Sequence, residues 1–546
     1  MKSVYSTQAW PRLQQHASHL QHNDTTLNGL FDSDPERVAR YSLEAAGLYL
    51  DYSRHHADGQ AWSLLHSLTE ECALPGAIRA MFAGKAVNHT EQRPALHVAL
   101  RGHVPQEQPD VAGQVAQQLE KMTALCEALR QGRLTGSGGH PINTLVNLGI
   151  GGSDLGPAMA CDALWPWHRK GLSCHFVSNI DPAHLHRTLQ GLDPQTTLFI
   201  VASKSFRTAE TLTNAQAARA WLEQAGICGD AIRHHFMATT AQPERAIDFG
   251  IQADHILPMY DWTGGRFSLW SCIGLPLAMM IGMPAFREML DGARQMDHHF
   301  LETPTEGNMP VILALLDIWN RLYLGSDSRV VLPYSQSLAA LPAFLQQLEM
   351  ESLGKNVTLD GNRIEGPTGL MVWGSQGTNG QHSFHQLLHQ GSQPVAADFI
   401  AVARGCTPNG SEAHRQLLAH CLAQSRALMA GKSHEQARRE MLDEGMDESE
   451  AERLAPHRAV PGNRPSTTLL LPALTPASLG ALLALYEHKV CVLGVLWGIN
   501  AFDQWGVELG KALSGSMLEA LVQGPDGTLD ASTRELVRRS REHEQE

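Results

Sequence analysis

The chain has 546 residues, 43% of them hydrophobic and 18% charged, the profile of a globular protein too long for one core, so at least two domains are expected. Its 42 Lys and Arg face 56 Asp and Glu, a net charge of -14, and the lack of a basic stripe argues against a nucleic-acid binder. Nine scattered cysteines, none in a C-x-x-C pair, read as reduced, mostly buried thiols of a cytoplasmic protein.

The amino terminus, MKSVYSTQAWPRLQQH, has no continuous apolar stretch, so no secretory signal is expected. The first hundred or so residues read as mainly helical, with an apolar spacing suited to packing on a later α/β unit. From residue 144 short apolar runs alternate with longer amphipathic ones: TLVNLGI (144–150), SCHFVSNI (173–180), TLFIVA (197–202), HFMAT (235–239) and HILPM (255–259). This rhythm predicts parallel βα units. Asp181-Pro182, just after the second run, reads as an N-cap followed by proline at the first helical position. The apolar run CIGLPLAMMIGMPAF (272–286) is broken by proline and glycine and is shorter than a membrane span, so no membrane segment is expected.

A second series follows: SRVVLPY (328–334), GLMVWG (369–374), AADFIAV (396–402) and TTLLLPAL (467–474). Two α/β sandwiches in one chain are the simplest reading. The charge-dense segment KSHEQARREMLDEGMDESEAER (432–453) reads as a solvated helical insertion. None of the 28 histidines falls in an H-E-x-x-H or similar ligand spacing, and no metal site is predicted.

The stretch NLGIGGSDLGP (147–157) runs a strand into a glycine-rich turn. A dinucleotide fingerprint would need glycine where Asp154 stands, and a P-loop would need lysine where Pro157 stands. What remains is a turn with Ser153 at a helix start, able to offer N–H groups and a hydroxyl to one small anion, or a structural turn without ligand. The third run leads into SKSFRTAET (203–211), where Ser205, Thr208 and Thr211 recur every third residue beside Ser203 and Lys204. That spacing predicts hydroxyls along one face of the first helical turns. Capping accounts for the same residues, but two such loops closing successive strands favour a phosphate site.

Four further segments stand out. DWTGGRFSLWS (261–271) puts Arg266 after two glycines, where a backbone can approach a ligand. LEMESLGKN (348–356) places Glu351 in the last turn of a helix ending at Gly354, where the dipole disfavours its charge and suits it to general-base work. GTNGQHSFHQLLHQG (377–391) sets His382 where a glycine turn enters a helix. AFDQWGVELGK (501–511) carries Gln504 and Lys511 seven residues apart, on one face if helical. Taken singly, each is better read as structural or solvated than as functional.

Together and in this order, GIGGSDLGP, SKSFRTAET, GGRFSLWS, MESLGKN, GTNGQHSFHQLLHQG and FDQWGVELGK closely resemble the glucose-6-phosphate isomerase family in its longer bacterial form, across residues 147–511. The resemblance implies an α/β fold of two sugar-isomerase (SIS) type three-layer αβα sandwiches with mostly parallel sheets. It also implies a helical N-terminal region (1–120), a first α/β domain (121–286), a second (287–510, with the insertion 432–455) and a C-terminal helical arm (511–546). The implied activity is reversible isomerisation of glucose 6-phosphate and fructose 6-phosphate, in a cytoplasmic homodimer without metal or organic cofactor. Carried over, Gly152, Ser153, Ser203, Lys204, Ser205 and Thr208 would bind the substrate around its phosphate, and Gln504 would line the site. Glu351 would be the base, Arg266 would stabilise the enediolate, and His382, from the partner subunit, and Lys511 would assist ring opening. Leu353 departs from the family's asparagine, Ser205 from its threonine, and Arg207 occupies a position where threonine is common. A non-catalytic sugar-phosphate sensor, a nicotinamide-dependent dehydrogenase and a related isomerase acting on another sugar phosphate are the rival readings. The sensor lacks an output domain, and the dehydrogenase fails on the glycine fingerprint.

Overall fold

Eleven strands appear among the described residues of the computed structural model, which are 2–106, 108–407, 411–525 and 527–544. They are β1 (Ser42–Ala45), β2 (Leu48–Arg54), β3 (Thr144–Gly149), β4 (Ser173–Val177), β5 (Thr197–Ala202), β6 (Phe236–Thr240), β7 (Ile256–Pro258), β8 (Ser328–Tyr334), β9 (Met371–Gly374), β10 (Ala396–Arg404) and β11 (Ser466–Ala473). The nine apolar runs picked out in the sequence correspond to β3 through β11. Every residue of β3, β5 and β6 is buried, the pattern of parallel strands covered on both faces.

One sheet has the order β4-β3-β5-β6-β7 and is wholly parallel. The other has the order β1-β2-β11-β10-β8-β9, with β11, β10, β8 and β9 parallel. Read from their first strands, β4-β3-β5-β6 and β9-β8-β10-β11 have the same winding, so the two α/β sandwiches share one topology. Val146, Leu148, Phe199, Val201 and Phe236 anchor the first core with Ala215, Ala218 and Leu222 of the helix Ala209–Gln224. Val330, Leu332, Phe399 and Leu428 belong to the second. Asp181 caps the helix Pro182–Leu189 as expected, accepting from the N–H of Ala183 at 2.9 Å.

The N-terminal region is not purely helical. β1 and β2 form a hairpin, and β2 adds antiparallel to β11. Its two-residue turn has positive φ at both Ala46 (48°) and Gly47 (75°), the type I′ form that matches strand twist. Leu48, Leu50 and Tyr52 alternate into the core.

The helix Pro476–Trp497 is long and apolar enough to cross a membrane, but 94% of its most apolar window is buried inside the fold. It packs against the helix Met283–Glu302 so closely that a Cβ on Gly292 would lie 1.9 Å from the carbonyl oxygen of Ala477. Gly282, at φ 85°, splits the apolar run 272–286 between two helices. The charged segment folds into the helices His434–Asp443 and Glu448–Arg458, which bury Ala437, Met441, Ala451 and Ala455 between them. The cysteines are all free, and Cys228 and Cys406 are the exposed ones.

By contact the chain forms two units, Met1–Ala501 and Phe502–Glu546. The second consists of a short 3-10 turn, Trp505–Val507, and the helices Glu508–Gln523 and Ala531–Glu544.

Candidate active site

In a doubly wound sheet the chain leaves its first strand in one direction and later strands in the other, opening a crevice at the carboxyl ends where the order reverses. In the first sheet that point lies between β3 and β5. The glycine turn leaves β3 there: Gly151 has φ 60°, the short turn Gly151–Ser153 follows, and the helix Leu155–Ala163 begins. The buried Asn147 side chain ties the turn to its strand, donating to the carbonyl of Ser153 at 3.0 Å.

The loop after β5 carries Ser203 to Thr208 and differs from the sequence expectation. The helix starts only at Ala209, so Ser205 and Thr208 lie on the approach to it, and Thr211 is buried inside it. Phe206 accounts for the difference: its ring is buried in the first core while its backbone adopts φ 46°. A left-handed residue costs about 1–2 kcal/mol, and burial of a phenylalanine returns roughly 1.5–3 kcal/mol. The resulting turn exposes Ser205 and Arg207 and brings Ser203 Oγ within 3.1 Å of Thr208 Oγ1. Lys204 Nζ lies 3.2 Å from Asp261 Oδ1.

Arg266 sits in the turn Gly265–Phe267 and is 3% exposed. Its Nε donates to Ser352 Oγ at 2.6 Å, its Nη2 donates to the carbonyl of Ala501 at 2.7 Å, and its Nη1 lies 3.7 Å from Glu351 Oε2. Glu351 closes a π-helical turn, Gln346–Glu351, that follows the helix Leu341–Leu345. Its place near a helix end agrees with the sequence, whereas the π geometry left no sequence signal. Lys355 Nζ donates to the carbonyls of Glu351 and Ser352, both at 3.0 Å, a cation at the negative end of the helix.

Three pieces thus meet within one unit. A Cβ on Gly151 would lie 3.0 Å from Gln347 Nε2, and one on Gly152 would lie 2.2 Å from the carbonyl carbon and oxygen of Gly265. The glycine turn therefore touches both the Glu351 turn and the Arg266 loop. Gln347 and Ser352 were not singled out in the sequence; their spacing around Glu351, on the same helical segment, was the available signal. Leu353 is buried, and its carbonyl accepts from the N–H of Gly369 at 3.1 Å.

His382 ends the 3-10 turn Asn379–His382 after β9 and is exposed. Gln504 and Lys511 do not share a helix face: Gln504 precedes the turn Trp505–Val507, and Lys511 lies in the helix Glu508–Gln523, 3.0 Å from Glu508. The single-helix expectation fails because Gln504, at φ -151° and ψ 44°, is not helical.

The second sheet's switch point holds a cavity of about 630 Å³ lined by Tyr334, Ser337, Arg404 and His414 among others. His414 Nε2 is engaged there by the carbonyls of Val402 and Ala403, and the lining's Asp162 and Arg404 do not form an ion pair like that of Glu351 and Arg266. Acid–base chemistry is better served at the first switch point.

Fold and site together define a doubly wound α/β protein with a glycine turn and a hydroxyl-bearing loop at one switch point and a carboxylate–arginine pair beside it. A family model described as phosphoglucose isomerase matches residues 51–537. The chain is 49% identical to glucose-6-phosphate isomerase of Hahella chejuensis over 540 residues, 98% of this chain and 96% of that protein. It is 48% identical to the protein of the same name from Saccharophagus degradans, over 97% and 96% of the two chains. The crystal structure of a glucose-6-phosphate isomerase from Chlamydia trachomatis superposes with a TM-score of 0.84 at 31% identity, covering 98% of this chain and 99% of that one. The chain belongs to the phosphoglucose isomerase family.

Proposed function

We propose that this protein interconverts glucose 6-phosphate and fructose 6-phosphate, the aldose–ketose isomerisation of its family, in cytoplasmic glycolysis and gluconeogenesis. The observation that carries this reading is the Glu351–Arg266 pair, 3.7 Å apart, with a glycine turn and a hydroxyl-bearing loop at the same switch point. Ser153, Ser203, Lys204, Ser205 and Thr208, with the backbone at Gly152, bind the phosphate, whose binding energy positions the reacting carbons. Glu351 removes the proton from C2 and returns it to C1. Arg266 stabilises the negative charge that develops on the enediolate oxygens. With Glu351 moving the proton and Arg266 countering the developing charge, this reading needs neither metal nor organic cofactor.

Ring opening needs acid–base groups at the ring oxygen and anomeric hydroxyl, roles we give to His382 and Lys511, with Gln504 lining the site. We place His382 in the partner subunit's site, in a homodimer. Supporting the dimer, the helix Glu508–Gln523 exposes Leu509, Leu513, Leu518 and Val522 on two sides. Apolar side chains exposed on two sides of one helix suit an interface, and a second copy of the chain is the occupant this reading supplies.

The test is a coupled assay on purified, chelator-treated protein, with fructose 6-phosphate as substrate and NADPH formation by added glucose-6-phosphate dehydrogenase as readout. Turnover by the wild type, abolished in Glu351→Gln while sugar-phosphate binding persists, is expected. Binding without turnover in the wild type would favour the sensor reading instead.

A further inference from the structure

Behind Glu351 lies a buried ionic cluster that the reaction itself does not use. Glu349, two residues earlier on the same π-helical turn, is 2% exposed, whereas the Glu351 side chain is 21% exposed. Two helical residues span roughly half a turn, so the two carboxylates leave on opposite sides, one toward the core and one toward the site. Glu349 Oε1 accepts from Arg329 Nη2 of β8, and its Oε2 lies 3.4 Å from Lys489 Nζ in the helix Pro476–Trp497. Arg329 also pairs through Nη1 with Asp398 of β10, and its Nε lies 3.5 Å from Asp317 Oδ1 in the helix Met309–Leu324. Lys489 Nζ is 2.6 Å from Asp317 Oδ2. All five charged residues are buried, three carboxylates against two cations.

Such a cluster is weak evidence for stability, because apolar side chains of similar volume in its place are often as stable or more so. What directional ion pairs add is position. They bind one turn to β8, to a core helix and, through Asp398, to β10. From the other side Arg266 holds the same segment at Ser352. The turn is therefore clamped between core and site, and π-helical turns of this kind are frequent at functional sites.

We propose that Glu349, anchored by Arg329 and Lys489, is a positioning residue that fixes the π-helical turn so that Glu351 meets Arg266 and the substrate carbons at reacting distance. The proposal rests on Glu351 being the base. Misplacement of a catalytic group by about 1 Å can cost on the order of 100-fold in rate, and the phosphate-binding loops lie on other elements. Loss of the anchor therefore lowers kcat and leaves phosphate affinity in place.

The test compares wild type, Glu349→Gln and Arg329→Lys in the coupled assay, with inorganic phosphate as competitive inhibitor and thermal melting as a check of folding. Glu349→Gln keeps the side-chain shape and leaves Arg329 and Lys489 facing Asp317 and Asp398, two charges against two. Arg329→Lys keeps the charge and loses the planar fork. In both, kcat is expected to fall about 10- to 100-fold, with KM and the phosphate inhibition constant within about twofold of wild type. Full kcat in a folded variant, or a kcat loss matched by an equal loss of phosphate affinity, would overturn the proposal. So would failure of both variants to fold, which would assign the cluster to stability. An inactive wild type would instead overturn the isomerase reading.

Discussion

Arg266 and Glu351 face each other at 3.7 Å, and the guanidinium also donates to Ser352 Oγ and to the carbonyl of Ala501. Those two bonds use Nε and Nη2, and Nη1 is the nitrogen that lies toward the carboxylate. A lysine in this position could retain the charge but not the three-way fork. Arg266→Lys is expected to lower kcat by about 10²–10³-fold, the range seen when a preorganised donor to a developing oxyanion is removed. Steady-state kinetics check this; a change confined to KM would place Arg266 in ground-state binding instead.

Lys204, which shares the loop after β5 with Arg207, is the cation proposed to hold the phosphate, and it pairs with Asp261 at 3.2 Å while remaining 34% exposed. A hydrogen bond to a charged group contributes about 1.5–3 kcal/mol, and exposure moves this toward the lower end. Lys204→Ala is expected to weaken inorganic phosphate binding about tenfold with little change in melting temperature, since exposed ion pairs contribute only about 0–1 kcal/mol. Asp261→Asn, which frees the ammonium, is expected to bind phosphate at least as tightly as wild type. Calorimetric titration of both variants decides, and unchanged affinity in Lys204→Ala would remove Lys204 from the site.

Gly152 and Gly265 form a paired test of the contact between the glycine turn and the arginine loop. A Cβ at 152 would lie 2.2 Å from backbone atoms of Gly265 and 2.8 Å from the nitrogen of Arg266, whereas one at 265 would have nothing within 4 Å. Gly152→Ala is therefore expected to destabilise by about 1–3 kcal/mol through overpacking and to lower kcat by displacing Arg266. Gly265→Ala is expected to stay within about 0.5 kcal/mol of wild type. Denaturant melts of the two variants test the contrast, and equal destabilisation would mean that the close approach at 152 is not what matters.

The strands that build the site were legible because both faces of each are buried. TLVNLGI and TLFIVA read as continuous apolar runs, as do the strands they form. The hairpin of β1 and β2 was hidden by its turn, in which Ala46 takes a left-handed conformation that sequence reasoning reserves for glycine and asparagine. The membrane-length helix Pro476–Trp497 was hidden by Glu487, His488 and Lys489 at its centre. Their partners, Arg101, Asp297, Asp317 and Glu349, come from distant parts of the chain, and only tertiary pairing makes such charges tolerable inside. At the candidate site, glycine-bearing loops marked segments that the fold brings together, the turn at Gly151 and Gly152 and the loop at Arg266. The hydroxyls of Ser205 and Thr208 were misplaced onto a helix because burial of Phe206, a tertiary effect, decides where that helix begins.

Glu487 links this buried chemistry to pH. Its Oε1 accepts from Trp270 Nε1 at 2.8 Å and its Oε2 pairs with Arg101, which also chelates Asp297. Burial pushes the Glu487 carboxyl up to about 7, against the pull of Arg101 and Trp270. Burial would also raise Asp297, but Arg101 and His488 overcome it and hold that carboxyl below its ordinary value. In the unfolded chain Glu487 titrates near 4.3. Between about 4.5 and 7 the folded protein thus keeps a proton that the unfolded chain has released, so the contribution of Glu487 to stability falls as pH rises through that window. A glutamine does not titrate, while the buried His97 and His488 nearby titrate alike in both proteins and cancel in the comparison. The melting temperature of Glu487→Gln minus that of wild type is expected to become steadily more positive from pH 5 to pH 7. Thermal melts across that range test it, and a difference that stays constant with pH would show that Glu487 does not titrate there.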